Sequence, residues 1–78
     1  MFLSAVVLGD SLDFQLFKLK RELIRVEQNI VELKHQLTYI DKEHKKTVEL
    51  EIVERLIRKK KIESLIKELE STIKTLEN

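Results

Sequence analysis

The chain has 78 residues, 15 Lys and Arg against 14 Asp and Glu, one Gly, and no Pro, Cys or Trp. A single core in so short a chain ordinarily needs a supplement, and without Cys neither a disulfide nor the usual zinc thiolates can supply it, which leaves a partner chain. The net charge of +1 gives no global pull toward nucleic acid or an anionic membrane, and balanced charge with abundant Leu and Ile is the composition of long amphipathic helices and coiled coils.

In chain order, Met1 to Leu8 is the longest mainly apolar run, and it ends at Gly9 and Asp10. A membrane-spanning helix needs about 20 apolar residues, and no basic region precedes the run as it would in a secretory signal. Residues 1–10 are therefore expected to be an apolar N-terminal segment of a cytoplasmic protein without a membrane span. Asp10 or Ser11 is the expected N-cap of the first helix, with Asp13 adding negative charge to its first turn.

From Leu12 onward the apolar spacing is helical. Leu16, Leu23, Ile30 and Leu37 form one row at intervals of seven, and Leu12, Leu19, Val26, Leu33 and Ile40 form the second row of the same seam. This is an unbroken a/d heptad pattern. Continued past Ile40, that register meets His44, Thr47, Glu51 and Glu54, and a new one starts with Val48, Arg55, Ile62, Leu69 and Leu76 beside Ile52, Lys59, Ile66 and Ile73.

The slip in register predicts that the chain turns back. The expected layout is one helical domain over residues 1–78, with helix 1 over 11–43, a turn at 44–47 and helix 2 over 48–77. Lys42, His44, Lys45 and Lys46 suit the negative end of the first helix, while Thr47, Glu49 and Glu51 suit the start of the second. The two seams, Leu12 to Ile40 and Val48 to Leu76, are equally long. Folding back about residue 46 then faces Ile40 with Ile52, Ile30 with Ile62, Val26 with Ile66, Leu23 with Leu69, Leu19 with Ile73, and Leu16 with Leu76. The fold class is thus an all-α antiparallel helical hairpin resembling a coiled coil. The alternative is a single long helix in a coiled coil, favoured by the lack of Gly, Pro or Asn between residues 30 and 77.

A hairpin needs one apolar stripe per helix, and this chain carries more. Phe17, Ile24 and Val31 repeat every seven residues beside the first seam, and Leu50, Val53 and Ile57 lie off the second. Such widened apolar surface belongs to bundles of three or more helices. The expected solution is a homodimer forming a four-helix bundle, with Phe14, Phe17, Ile24, Val31, Leu50, Val53 and Ile57 as self-association or partner contacts. The Met1 to Leu8 segment is a further candidate contact. Arg55 and Lys59, inside the second seam, are expected to extend their heads to solvent or pair with acids.

Candidate chemistry is sparse. Glu32 and His35 have the Glu-x-x-His spacing of di-iron bundles, and Asp41 and His44 echo it, but with Leu33 on the seam Glu32 and His35 face outward, so no metal or other cofactor is expected. No Cys nucleophile, Gly-rich phosphate loop or recognisable Ser–His pair points to an enzyme. The basic runs Lys18-Leu-Lys-Arg21, His44-Lys-Lys46 and Arg58-Lys-Lys-Lys61 assign candidate phosphate contacts to Lys18, Lys20, Arg21, Arg58, Lys59, Lys60 and Lys61. Flanking acids favour intrahelical pairs such as Glu54 with Arg58 and Glu63 with Lys67 instead. The expected function is that of a non-enzymatic structural or adaptor protein that self-associates and binds an unidentified protein partner by helix packing. A nucleic-acid-binding or regulatory protein is the alternative.

Overall fold

The two heptad registers form two helices: α1, Leu3–Gln36, and α2, Lys42–Glu77. The structure, a computed structural model, describes the backbone of residues 3–77 and the side chains of residues 11–77. A continuous helix over that backbone would extend about 110 Å at 1.5 Å per residue. The molecule instead measures 60 × 16 × 14 Å, the dimensions of a hairpin. Ion pairs give the direction: Lys20 Nζ reaches Glu70 Oε2 at 3.4 Å and Glu27 Oε2 reaches Lys59 Nζ at 3.4 Å. Early residues of α1 thus face late residues of α2, and the helices are antiparallel.

The core is the predicted seam. Val26, Ile30 and Leu33 of α1 and Val48, Ile52, Ile62 and Ile66 of α2 are the buried hydrophobic residues among those described. They form two clusters. Val26 and Ile30 pack with Ile62 and Ile66, supported by Leu16, Leu19 and Leu23, whereas Leu33 packs with Val48 and Ile52, supported by Leu37 and Ile40. The expected partners Ile30 and Ile62, Val26 and Ile66, and Ile40 and Ile52 therefore fall within the same clusters. Along α2 the interval between the clusters holds Arg55 and Lys59, both half-buried, where apolar side chains would have joined them.

Three expectations are corrected. The turn occupies residues 37–41 rather than 44–47, so helix 1 ends at Gln36 and helix 2 already begins at Lys42. Its hydrogen bonds explain how it forms without Gly. Thr38 N–H donates to the His35 carbonyl at 3.0 Å and Tyr39 N–H to the Gln36 carbonyl at 3.2 Å, an i→i+3 tightening of the final turn. Ile40 N–H also donates to the Gln36 carbonyl, at 3.0 Å, and the Thr38 hydroxyl donates to the His35 carbonyl at 2.6 Å. These bonds occupy carbonyls that a helix end leaves orphaned. No described non-Gly residue has positive φ, so the left-handed position that calls for Gly or Asn does not arise here.

The position of the turn follows from packing and capping. Leu37 and Ile40 keep their seam contacts from within the turn itself, so the seam does not require helix through residue 40. Asp41 then takes the N-cap position, its carbonyl accepting from His44 N–H at 3.1 Å and Lys45 N–H at 3.0 Å. Asp is the better N-cap, and Glu43 follows in the first turn. Lys42, His44, Lys45 and Lys46 consequently lie at the positive end of α2, where exposure screens their unfavourable interaction with the helix dipole. Replacing Asp41 with Ala should destabilise the protein by about 1 kcal/mol. Thr47→Ala, at an exposed position inside α2, should leave stability within about 0.5 kcal/mol. Chemical denaturation of the two variants checks the cap assignment, and the reverse order would return it to Thr47.

The second correction is at the start. Asp10 and Ser11 do not cap helix 1, because both lie inside α1, which begins at Leu3. A lone Gly costs a helix only about 1 kcal/mol relative to Ala, and without Pro nothing at Gly9 enforces a stop. The side chains of Met1 to Leu8, named above as a candidate contact, lie outside the described residues. The third correction concerns Leu76, predicted to face Leu16 but 65% exposed. With Lys20 paired to Glu70, the register carries Leu76 past Leu16, which packs on the Val26–Ile62 cluster instead.

Candidate functional site

Two surfaces stand out, one apolar and one basic. On the apolar side, Phe14, Phe17, Ile24, Val31, Leu50, Val53 and Ile57 all lie outside the hairpin core, between 50% and 66% exposed. At 100° per residue, Phe17, Ile24 and Val31 are turned about 100–180° around α1 from Val26 and Ile30. Leu50, Val53 and Ile57, at i, i+3 and i+7, form one stripe on α2 nearly opposite Ile52 and Ile66. Leu56 and Leu65 are also exposed, about 90° to either side of that stripe. The Phe14 ring is partly covered by the Lys18 ammonium, 5.0 Å from its centroid. Tyr39, in the turn, is exposed and meets His35 edge to face at 5.6 Å between ring centroids.

The basic runs of the sequence do not stay together, because neighbours in sequence point to different sides of a helix. Lys20 pairs with Glu70 and Lys59 with Glu27. Lys60 lines a separate small groove with Leu23, Glu63 and Lys67, and Lys61 is exposed on α2. Lys18, Arg21 and Arg58 come together, and the structure adds Arg25 and Arg55, which the runs did not include. These five cations line one groove of about 600 Å³ with Glu22, Asn29 and the edge of Val26. Its single carboxylate, Glu22, pairs with Arg58 across the helices. Among the described residues, Arg21, Arg25 and Arg55 have no carboxylate within ion-pair distance.

A signal for this groove was present in the spacing. Lys18, Arg21 and Arg25 follow i, i+3, i+7, and Arg55 and Arg58 follow i, i+3, so each set shares a helix face. The expected intrahelical pairs Glu54–Arg58 and Glu63–Lys67 are not formed at ion-pair distance. Arg58 reaches Glu22 on α1 instead, a bond that also joins the helices.

Glu32 and His35 both lie on the exposed face. Among the described residues, no three His, Asp or Glu side chains come close enough together to hold a metal ion. His44 Nδ1 lies 3.8 Å from Asp41 Oδ2 across the first turn of α2, a local contact at the cap. No described helix is long and apolar enough to cross a membrane. No protein-family model, curated protein or solved structure matches this chain.

Proposed function

We propose that this chain is a non-enzymatic structural or adaptor protein, a cytoplasmic helical hairpin that self-associates through its second apolar face into a homodimeric four-helix bundle and presents its remaining helical surface to protein partners. The observation that carries this reading is the exposure of apolar rows on both helices, at Phe17, Ile24 and Val31 and at Leu50, Val53 and Ile57. Exposed apolar rows of that kind mark interaction sites in a soluble protein.

A second copy is the favoured occupant for two reasons. The core of one hairpin is thin, since no described side chain falls below 2% exposure, and a two-helix layer buries only one stripe per helix. A two-fold axis brings two identical surfaces together, so an exposed row of one chain can be covered by the same row of another. The non-enzymatic reading is supported by thickness. A body 16 × 14 Å in section has no second layer with which to enclose a substrate as pocketed enzymes do.

Sedimentation equilibrium is the direct test. At micromolar concentration the reading expects a species of twice the 9.3 kDa chain mass, dissociating on dilution. A stable 9.3 kDa monomer across that range would overturn self-association.

A further inference from the structure

We propose that the basic groove on one edge of the hairpin binds a compact anion carrying several phosphate groups. The fold concentrates positive charge on one edge. Lys18, Arg21 and Arg25 of α1 and Arg55 and Arg58 of α2 converge on one groove containing a single carboxylate. Elsewhere along the interface cations are matched, Lys20 by Glu70 and Lys59 by Glu27. Five like charges converging on one edge repel each other in the folded state, and a bound polyanion turns that cost into affinity.

The residue types narrow the ligand. Four of the five cations are Arg, whose planar guanidinium donates two parallel hydrogen bonds to phosphate. Arg55 occupies a seam position, is half-buried and lines the groove. A pre-positioned side chain loses less freedom on binding than an exposed one. Asn29 adds an amide donor at the end of the groove.

The surroundings limit ligand size. One heptad beyond Arg25 the same lane of α1 carries Glu32, and one heptad before Arg58 the same lane of α2 carries Glu51. Both acids are exposed. From Lys18 to Asn29 is about 16 Å of helix, and negative charge bounds the groove on the turn side. A long nucleic-acid duplex laid along this edge would meet those carboxylates, whereas a short polyphosphate would not. Lys18 and Arg25 lie on the opposite flank of α1's seam from Phe17, Ile24 and Val31, while Arg21, four residues after Phe17 and three before Ile24, borders that row.

Calorimetric titration of the full chain with inorganic tripolyphosphate, with citrate and with a duplex DNA of about 20 base pairs tests this assignment. The expected result is one tripolyphosphate site per chain, weakened by added salt and at least about tenfold weaker in Arg21→Gln/Arg25→Gln, since each charge-assisted contact contributes on that scale. Both substitutions are at exposed positions, and an unchanged helical circular-dichroism spectrum verifies that the variant folds. Glu22→Gln, which removes the competing carboxylate from Arg58, should strengthen binding. No heat or competition at millimolar tripolyphosphate, equal affinity for citrate, or unchanged affinity in the double variant would overturn the proposal. So would DNA binding tighter per chain than tripolyphosphate, which would make the edge a nucleic-acid surface instead.

Discussion

Ile62→Ala is expected to destabilise the protein by about 2–5 kcal/mol. Ile62 is the most buried side chain described, at 4% exposure, in a cluster with Val26, Ile30 and Ile66. Truncation removes apolar contact and leaves a cavity that two stiff, continuous helices cannot readily collapse. A domain of this length has a total stability of only about 4–12 kcal/mol on the usual per-residue scale, so one substitution removes a large share of it. Leu76→Ala is the matched control. The two residues belong to the same heptad row of α2, but Leu76 is 65% exposed, and its truncation should stay within about 0.5 kcal/mol. Urea denaturation at one fixed protein concentration checks both. Equal losses would mean that the row is buried to its end and that the register places Leu76 on Leu16 after all.

That pair of substitutions also marks where sequence reasoning holds. Burial follows the heptad rows closely because a side chain's direction from a helix depends only on its position around the axis, which spacing records directly. Val26, Ile30, Leu33, Val48, Ile52, Ile62 and Ile66 were all legible on that basis, and so was the outward placement of Phe17, Ile24 and Ile57. The hairpin was legible too, from two seams of equal length in different registers. The ends of the helices were not. Periodicity places residue 40 on the seam without saying whether its backbone is helical, and Ile40 makes the same contact from the turn. The turn uses i→i+3 bonds and an Asp N-cap, neither of which needs the Gly or Pro that ordinarily announces a break.

The ionic side of the surface was legible only in part, for a related reason. Runs such as Arg58 to Lys61 look like single patches when read linearly, yet consecutive residues on a helix are 100° apart. The fold sends Arg58 to Glu22 on one edge of the seam and Lys59 to Glu27, dispersing the run. The five-cation groove combines residues more than 25 positions apart in the sequence, such as Arg25 and Arg55, and no local pattern joins them before the turn is placed. Arg55 drew attention as a charge in an apolar row, and the groove supplies a role for it. A hydrophobic residue there would join the two core clusters.

Ile24→Lys combined with Ile57→Lys is expected to convert the proposed dimer to a monomer. Ile24 is 56% and Ile57 64% exposed in the hairpin, so neither substitution removes a contact within one chain, and Lys is a better helix former than Ile. Hairpin stability should therefore shift by no more than about 0.5 kcal/mol. In a two-fold symmetric interface each substitution occurs twice, and burying one Ile contributes about 1.5–3 kcal/mol. Because the two rows face away from each other, one two-fold interface loses two apolar contacts and gains two like charges, which should raise the dissociation constant by over a hundredfold. Sedimentation should then give 9.3 kDa at concentrations where the proposed dimer requires twice that mass of the parent chain. The melting temperature, which for a dimer rises with protein concentration, should become independent of it. If the variant stays dimeric with its concentration dependence intact, the interface does not use these rows, because no dimer packed through Ile24 or Ile57 could absorb two buried ammonium groups.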